Sequence, residues 1–277
     1  MSNFSSIPPL NAVAVLKRYG LRADKALGQN FLQDENILQK IANAAEIQSE
    51  DSVLEIGPGL GSLTRYLAVA SKQVTAVELD FDLLGPLQAV LQPYQNVTVV
   101  HGDILESKIS DLIQQPNYIV AANIPYNITS AIIRHLLESE LKPRRIVLTI
   151  QKEVAERICA KAGDLSLLAL SVQVYGAPSF VAKIPAGAFH PVPNVDSAIL
   201  RIDIYPEPLI EKDLLNKFFK FTKAGFSQKR KTLRNSLSAG LHISPQETEA
   251  LLTSADIDFM RRAETLSIEE WKTIITK

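Results

Sequence analysis

Short apolar segments alternate with helical patterns over the first two thirds of the chain, and this alternation constrains the fold more than any other feature. Helical segments follow most of the predicted strands, and the last two strands have no helix between them. The predicted strands are residues 52–56, 73–79, 97–100, 118–122, 145–150, 179–184 and 198–204. The alternation predicts a mostly parallel seven-stranded sheet with helices on both faces, and the missing last helix predicts an antiparallel final strand.

A change of pattern near residue 207 divides the predicted fold in two. The stretch Tyr205-Pro-Glu-Pro208 is typical of a linker, and helical patterns follow it to the end of the sequence. We therefore predict an α/β domain over residues 1–207 and a small all-α domain over residues 208–277. A chain of 277 residues, 46% of them hydrophobic and 21% charged, has the composition of an ordinary soluble globular protein.

Cysteine content and the N-terminal sequence bear on where the protein works. Cys159 is the only cysteine, so an intrachain disulfide framework is excluded and a reducing compartment is favoured. The stretch MSNFSSIPPLNAVAVLKRYG lacks the basic start and the continuous apolar run of a signal peptide. No apolar run approaches the roughly 20 residues that span a bilayer. We expect a cytoplasmic protein with no membrane partner.

Basic residues are concentrated in one segment, although the net charge of the chain is only −1. Residues 212–246 contain eight basic residues and one acid, Asp213, so this segment carries +7 and the rest of the chain −8. The basic residues are Lys212, Lys217, Lys220, Lys223, Lys229, Arg230, Lys231 and Arg234. This asymmetry favours an anionic partner, although a solvated helix surface can have the same composition.

The first strand of the alternation runs into a glycine-rich turn, Gly57-Pro-Gly59-Leu-Gly61. Glycines let the backbone adopt positive φ angles and let a ligand approach closely, and the following helix presents free N–H groups. The spacing differs from the dinucleotide motif G-x-G-x-x-G, and no Gly-Lys-Ser/Thr follows as in a phosphate-binding loop. The turn is therefore a candidate ligand site of another kind.

Carboxylates end the next two predicted strands. Glu78 is placed to accept the hydroxyls of a ribose, and Asp103 to accept a hydrogen bond from an adenine amino group. Taken singly, the glycines are typical of a tight turn, Glu78 of a solvated strand end and Asp103 of a helix N-cap. Their order along one sheet edge favours a nucleoside without phosphates. S-adenosylmethionine fits best, because its positive sulfonium tolerates nearby carboxylates, and the set favours a methyltransferase.

Seven motifs together carry a family resemblance. In chain order they are GQNFL, LEIGPGLGSLT, VELD, GDIL, NIPYNITS, FHPVPNVDSA and FSQKRKTLRNSL. This combination resembles the ribosomal RNA adenine N6,N6-dimethyltransferases, and it is most similar to their small-subunit, kasugamycin-resistance branch. The resemblance covers residues 27–271, which is nearly the whole sequence.

The resemblance implies a fold, a reaction and a set of cofactor contacts. The fold would be a Rossmann-like methyltransferase domain with a small helical C-terminal domain. The reaction would use S-adenosylmethionine to dimethylate two adjacent adenosines near the 3′ end of 16S ribosomal RNA in an immature 30S particle. We expect a monomer without a metal. The predicted cofactor-binding residues are Asn30, Leu32, Gly57, Gly59, Gly61, Glu78, Asp103 and Asn123.

The motif Asn123-Ile124-Pro125-Tyr126 is the predicted methyl-transfer site. The exocyclic amine of adenine is a poor nucleophile, and two acceptors that hold its N–H groups would aim its lone pair. The Asn123 side-chain oxygen and the Ile124 carbonyl are the predicted acceptors, in a turn fixed by Pro125. Tyr126 would stack on the flipped adenine. Phe189 is predicted to supply a second ring, with a core position as the alternative.

The basic segment is predicted to bind the phosphates of ribosomal RNA. The candidate residues are Lys220, Lys223, Lys229, Arg230, Lys231 and Arg234. Four phenylalanines interleave with them, at positions 218, 219, 221 and 226, and we interpret these mostly as helix core. The stretch Ala162–Leu170 departs from the family pattern by lacking a tyrosine and an arginine, so an RNA contact there is in doubt.

Three alternative functions share part of the pattern. The first is a large-subunit ribosomal RNA adenine methyltransferase of the macrolide-resistance branch, against which FSQKRKTLRNSL argues. The second is a glutamine or DNA adenine methyltransferase, in which Asn/Asp-Pro-Pro-Tyr is usual where this chain has Asn-Ile-Pro-Tyr. The third is a ribosome assembly factor with little catalytic role, against which the intact cofactor motifs argue.

Overall fold

The computed structural model describes Phe4 and residues 7–277, so residues 1–3 and 5–6 of the first predicted domain lie outside the described part. The chain divides into two compact units. The first comprises Met1–Ala155 with Ser179–Ile204, and the second comprises Glu156–Pro178 with Tyr205–Lys277. Residues 156–178, which the sequence pattern groups with the α/β domain, thus belong to the second unit.

Helices and strands alternate along the chain as the sequence pattern predicts. The strands are β1 (Phe31–Leu32), β2 (Ser52–Ile56), β3 (Gln73–Glu78), β4 (Val97–His101), β5 (Ile119–Asn123), β6 (Arg145–Gln151), β7 (Gly176–Ile184), β8 (Phe189–His190) and β9 (Ser197–Ile204). The helices up to β7 are α1 (Ala12–Arg18), α2 (Glu35–Ala45), α3 (Thr64–Ala70), α4 (Phe81–Leu91), α5 (Ile109–Leu112), α6 (Thr129–Glu138), α7 (Lys152–Ile158) and α8 (Leu167–Gln173). Four more follow β9: α9 (Leu215–Phe226), α10 (Leu233–Leu241), α11 (Pro245–Ser254) and α12 (Ile268–Thr276).

The main sheet has seven strands in the order β4-β3-β2-β5-β6-β9-β7. The strands from β4 to β6 are parallel, and β9 runs antiparallel to β6, which confirms the predicted fold class. Because β2, β3, β4 and β5 are parallel, their carboxyl ends meet at one edge of the sheet. That edge is where open α/β sheets bind ligands.

Polar side chains begin two of the helices that leave this edge. Asp34 accepts hydrogen bonds from the first N–H groups of α2, and Asp80 does so for α4. Such caps satisfy N–H groups that have no partner within the helix. The helices therefore begin close to the ends of the strands, where the polar motifs of the sequence lie.

A second, two-stranded sheet was not anticipated from the sequence. Strand β1 pairs antiparallel with β8, with Phe31 opposite His190 and Leu32 opposite Phe189. The pairing joins the motif GQNFL to the motif FHPVP. It fixes the N-terminal segment at the carboxyl edge of the main sheet.

The second unit is a helical body packed around Trp271, which is fully buried. A Cβ atom at Gly225 would approach the Trp271 ring to 2.5 Å, and a Cβ atom at Gly240 would approach Ala224 equally closely. Glycine at both positions lets the helices come close together. Ser244 and Ser267 begin α11 and α12 with capping boxes.

Candidate active site

A cavity of about 110 Å³ lies at the carboxyl ends of β2 to β5, entirely within the first unit. Most of the residues predicted from the sequence meet there. The predicted residues that line it are Asn30, Leu32, Gly57, Gly59, Glu78, Asp103, Asn123, Ile124, Pro125 and Tyr126. The structure does not bring Gly61 or Phe189 into its wall.

Two glycines shape the turn that forms the floor of the cavity. Gly57 has a φ of +65°, and a Cβ atom there would meet no atom within 4 Å, so its backbone faces open space. Gly59 has a φ of +59°, and a Cβ atom there would lie 3.0 Å from the Phe31 ring. The backbone at both positions is thus in the left-handed region that favours glycine.

Gly61 has a packing role instead of facing the cavity. A Cβ atom at Gly61 would lie 3.2 Å from Leu87 and 3.3 Å from Val90, both of which belong to α4. Its φ of +84° also favours glycine. The third glycine of the motif therefore allows α4 to pack closely against the turn.

Glu78 connects the glycine turn to the start of α4. Its two carboxylate oxygens accept hydrogen bonds from the N–H groups of Gly59 and Asp80, both at 2.9 Å. Burial raises the pKa of Glu78 above its ordinary value, although these N–H groups partly oppose the shift. Each oxygen retains a second lone pair for a ligand hydroxyl.

Glu55 lines the same cavity and was missed by the sequence analysis. Its side chain is 1% exposed, and its Oε2 atom has no hydrogen-bond partner among the described residues. Burial, together with the charge of Glu78, raises the pKa of Glu55 to about 8. A carboxylate inside the apolar run VLEIG was the signal that could have identified it.

Asn123 ends β5 with its side-chain amide held in one orientation. The Nδ2 group donates to the backbone carbonyl of Asn30 at 3.0 Å, and the Nδ2 group of Asn30 donates to the carbonyl of Gly28 at 3.0 Å. Because the Asn123 amide nitrogen is engaged, its oxygen is the atom available to accept a hydrogen bond.

Pro125 and Gly28 meet directly beside Asn123. Pro125 has a φ of −59° and begins a short 3₁₀ helix over Tyr126–Ile128. A Cβ atom at Gly28 would lie 3.2 Å from the Cβ atom of Pro125, and Gly28 has a φ of +66°. The absence of a side chain at Gly28 therefore makes room for the proline turn.

The Tyr126 ring is half-buried in the cavity wall. Its hydroxyl forms a 2.6 Å hydrogen bond with the hydroxyl of Ser197, which is fully buried at the start of β9. Burial raises the pKa of Tyr126, so the phenol remains neutral at physiological pH. The sheet thus anchors the far end of the ring.

Phe189 lies in the hydrophobic core, which was the alternative interpretation of this residue. Its side chain is 2% exposed and packs in a cluster that includes Leu32 and Ile37. Its strand β8 pairs with β1, and this pairing places the ring inward. In this conformation the ring is not accessible to an incoming base.

Comparison with known proteins defines the family. The model of the ribosomal RNA adenine dimethylase family matches residues 20–277. The chain belongs to the ribosomal RNA adenine dimethylase family. Members of this family are methyltransferases that depend on S-adenosylmethionine.

Two relatives are similar over almost the whole chain. Ribosomal RNA small subunit methyltransferase A of Dehalococcoides mccartyi strain CBDB1 is 47% identical over 98% of this chain and 94% of that protein. The protein of the same name in Bacillus mycoides strain KBAB4 is 43% identical over 94% of this chain and 92% of that protein.

Two solved structures are similar in fold. A dimethyladenosine transferase from Plasmodium falciparum superposes with a TM-score of 0.76 at 26% identity, covering 88% of this chain and 95% of that one. The 23S rRNA methyltransferase ErmE superposes with a TM-score of 0.72 at 31% identity, covering 89% and 98%. Both support the methyltransferase fold class.

The lining of the cavity fits the cofactor of this family. Three acidic side chains, from Glu55, Glu78 and Asp103, line it, and none of the described residues that line it is basic. Because the pKa of Glu55 is raised to about 8, Glu55 is mostly protonated at neutral pH, and the negative charge of the lining comes from the other two. This charge is unsuited to a nucleotide phosphate and suited to a cationic nucleoside. The unpaired oxygen of Glu55 and the open backbone at Gly57 leave room and hydrogen-bonding capacity for it.

The predicted RNA-binding residues lie in the second unit. Lys220, Lys223, Lys229, Arg230 and Lys231 are all exposed in α9 or in the turn that follows it. Arg234 is only about one third exposed and forms an ion pair with Glu249 of α11. Phe218 is fully buried, which confirms its interpretation as helix core, whereas Phe219, Phe221 and Phe226 are half-buried.

No group of three or more His, Cys, Asp or Glu side chains is arranged to hold a metal ion in the part of the chain that the structure describes. Within the same residues, no helix has the length and apolarity that crossing a membrane requires.

Proposed function

We propose that this protein transfers methyl groups to the N6 amines of two adjacent adenosines near the 3′ end of small-subunit ribosomal RNA. The observation that carries the proposal is the fixed amide of Asn123, which lines an acidic cavity in whose described wall no side chain is basic. The high identity to two small subunit methyltransferases supports this choice of RNA.

S-adenosylmethionine supplies an electrophilic methyl group when it is bound. In the proposed site Glu78 holds the ribose hydroxyls and Asp103 accepts from the adenine amine. The backbone at Gly57 and Gly59 forms the surface under the nucleoside. Asn30 and Leu32, which are fixed by the pairing of β1 with β8, contact its amino-acid end.

The target amine is held by two acceptors. The Asn123 Oδ1 atom and the Ile124 carbonyl each accept one N–H group, which turns the nitrogen lone pair toward the methyl donor. Pro125 fixes the backbone that presents the carbonyl. Positioning of this kind can supply several kcal/mol of catalysis without a strong base. The excess proton leaves to water after transfer.

Tyr126 stacks on the adenine that has left its helical stack. Ser197 holds the phenol in place through the 2.6 Å hydrogen bond. Stacking on an aromatic ring is worth about 1–3 kcal/mol per base. We do not assign Phe189 to the stack, because its ring is in the core.

We propose that the helical unit binds RNA of the immature small subunit through its exposed lysines and Arg230. These residues form a basic strip on α9 and in the turn after it. Arg234 is less suited to binding phosphates, because its ion pair with Glu249 already neutralises the charge of its guanidinium.

The decisive experiment is mass spectrometry of ribosomal RNA after incubation with the protein and labelled S-adenosylmethionine. Immature small subunits and protein-free large-subunit RNA are offered in parallel. Two dimethyladenosines in the small-subunit RNA support the proposal. Methylation of the large-subunit RNA instead would support the alternative function, a large-subunit ribosomal RNA adenine methyltransferase. The similarity to the 23S rRNA methyltransferase ErmE, at 31% identity, is the observation that favours this alternative. No methylation of either RNA would leave the assembly factor as the better account.

A further inference from the structure

The first unit carries a basic surface of its own, outside the cavity and outside the helical unit. It consists of Lys17, Arg18, Arg22 and Lys25, in α1 and the loop after it, and we name it the N-terminal basic surface. All four side chains are exposed. Over residues 10–33 the only acid is Asp24, so this segment carries +3.

The four cations of this surface have no acidic partner. None of them forms an ion pair with another described residue, whereas most other arginines of the first unit do. Asp24 is engaged in the backbone of its own loop, since its Oδ1 atom accepts from the N–H of Ala26 at 2.7 Å. Unpaired cations grouped on one face create a positive field toward solvent.

The underside of the same segment is anchored to the cavity wall. Ala12 and Leu16 of α1 are buried in a small core with Phe31, Leu60 and Leu83. Phe31 and Leu83 also line the cavity. The N-terminal basic surface is therefore carried on a segment that packs directly against residues of the cavity wall.

Hydrogen bonds hold the loop of this surface against the main sheet. Gln29 donates from Nε2 to Asp80 at 2.6 Å, and its Oε1 atom accepts from the N–H of Asp24 at 2.8 Å. Asp80 in turn caps α4 beside Glu78. The segment that carries the cations thus contacts the cofactor pocket in two places. Helix α1 packs against the cavity wall, and the loop after it is hydrogen-bonded to Asp80.

We propose that the N-terminal basic surface binds the RNA phosphates that flank the target adenosine. A base that is drawn into the cavity brings its neighbouring phosphates to the rim, where a rigidly held group of cations can fix their path. Arg18, which stacks over the exposed ring of Tyr19, also offers a flat surface to a neighbouring base. This inference rests on the proposed function and adds a second RNA contact, next to the chemistry.

The test measures the affinity for immature small subunits as a function of salt concentration. Two double variants remove charge from the surface: Lys17→Gln with Arg18→Gln, and Arg22→Gln with Lys25→Gln. The matched control is Lys40→Gln with Lys72→Gln, which also removes two exposed charges, and Lys72 precedes β3 at the edge opposite the cavity. Circular dichroism and calorimetry with S-adenosylmethionine check folding and cofactor binding.

We expect each N-terminal double variant to reduce the slope of log affinity against log salt by about 1.4 to 1.8, since each lost phosphate contact removes about 0.7 to 0.9. Affinity at 0.1 M salt should fall at least about tenfold, with cofactor affinity unchanged. The control should keep the slope of the unmodified protein.

Two results would overturn the inference: slopes of the N-terminal variants equal to that of the unmodified protein, or an equal reduction in the control. The second result would mean that only the total charge matters. Methyl transfer by the unmodified protein is measured in the same samples, and its absence would count against the proposed function. If the unmodified protein transfers methyl groups but both N-terminal variants keep the salt slope of the unmodified protein, this inference is refuted and the proposed function stands.

Discussion

The side-chain amide of Asn123 donates to the backbone carbonyl of Asn30 at 3.0 Å across 93 residues of sequence. This single bond determines which end of the amide can accept a hydrogen bond from a substrate amine. It also makes the N-terminal segment part of the site, because the orientation of Asn123 depends on where Asn30 lies.

Replacing Asn123 with alanine should abolish most methyl transfer while cofactor binding remains measurable. The loss should be about 100-fold or more in kcat, the size expected when one oriented hydrogen-bonding group is removed from a reacting centre. Single-turnover assays with small subunits measure the transfer, and calorimetry measures the affinity for S-adenosylmethionine. Turnover within a few-fold of the unmodified rate would refute the assigned role.

Gly28→Ala should reduce methyl transfer through Pro125, and Gly20→Ala provides the matched control. Both glycines have positive φ angles, +66° and +69°, so alanine at either position should cost about 1–2 kcal/mol of unfolding free energy. Only at Gly28 would the new Cβ atom press on Pro125, since nothing lies within 4 Å at Gly20. Chemical denaturation and kcat are measured for both variants. Equal kcat values in the two would show that the contact with Pro125 is unimportant.

The buried carboxyl of Glu55 should make stability depend on pH. Its pKa rises from the ordinary value of 4.5 to about 8 on folding. The folded state therefore binds this proton more tightly than the unfolded state. The stabilisation is complete below about pH 4.5 and is lost as the pH rises through about 8.

Glu55→Gln should flatten this pH dependence, because glutamine does not titrate. The measurement is the denaturant midpoint at several pH values between 5 and 8.5, with exposed Glu106→Gln as the control. A smaller slope should remain from Glu78, whose pKa burial also raises. An unchanged slope in Glu55→Gln would contradict the assignment.

The exposed lysines of the helical unit should contribute more to RNA affinity than Arg234. Lys229→Gln with Lys231→Gln should reduce the salt slope of subunit binding by about 1.4 or more, at about 0.7 for each phosphate contact. Arg234→Gln should change it less, because Glu249 already pairs with the guanidinium. The slope is measured by titration at several potassium chloride concentrations. If Arg234→Gln has the larger effect, the ion pair does not persist in the complex.

The centre of the main sheet was predictable because its strands, such as β5 and β6, are short and mainly apolar runs. Parallel strands that are buried on both faces have mainly apolar sequences. Strand β2, for example, begins and ends at the predicted residues, Ser52 and Ile56. The residues at the strand ends were predictable too, because parallel strands bring their carboxyl ends to one edge. Glu78 and Asn123 therefore line one cavity as expected.

Features that depend on distant packing were not predictable. The aromatic Phe189 can lie in a core or at a site, and only the pairing of β8 with β1 decides between them. Gly61 belongs to a ligand motif in sequence, but its contact with α4 gives it a packing role. The ion pair of Arg234 with Glu249 likewise depends on how α10 meets α11.

The pairing of β1 with β8 has a consequence for the order in which the protein matures during its own synthesis. The chain emerges from the translating ribosome with its N-terminus first, so β1 is made early and its partner β8 only near the end of the first unit. Until Phe189 and His190 have emerged, Asn30 has no neighbouring strand to hold it beside Asn123. We therefore expect the methyl-transfer site to reach its final form late in the synthesis of the first unit, only after β8 has emerged.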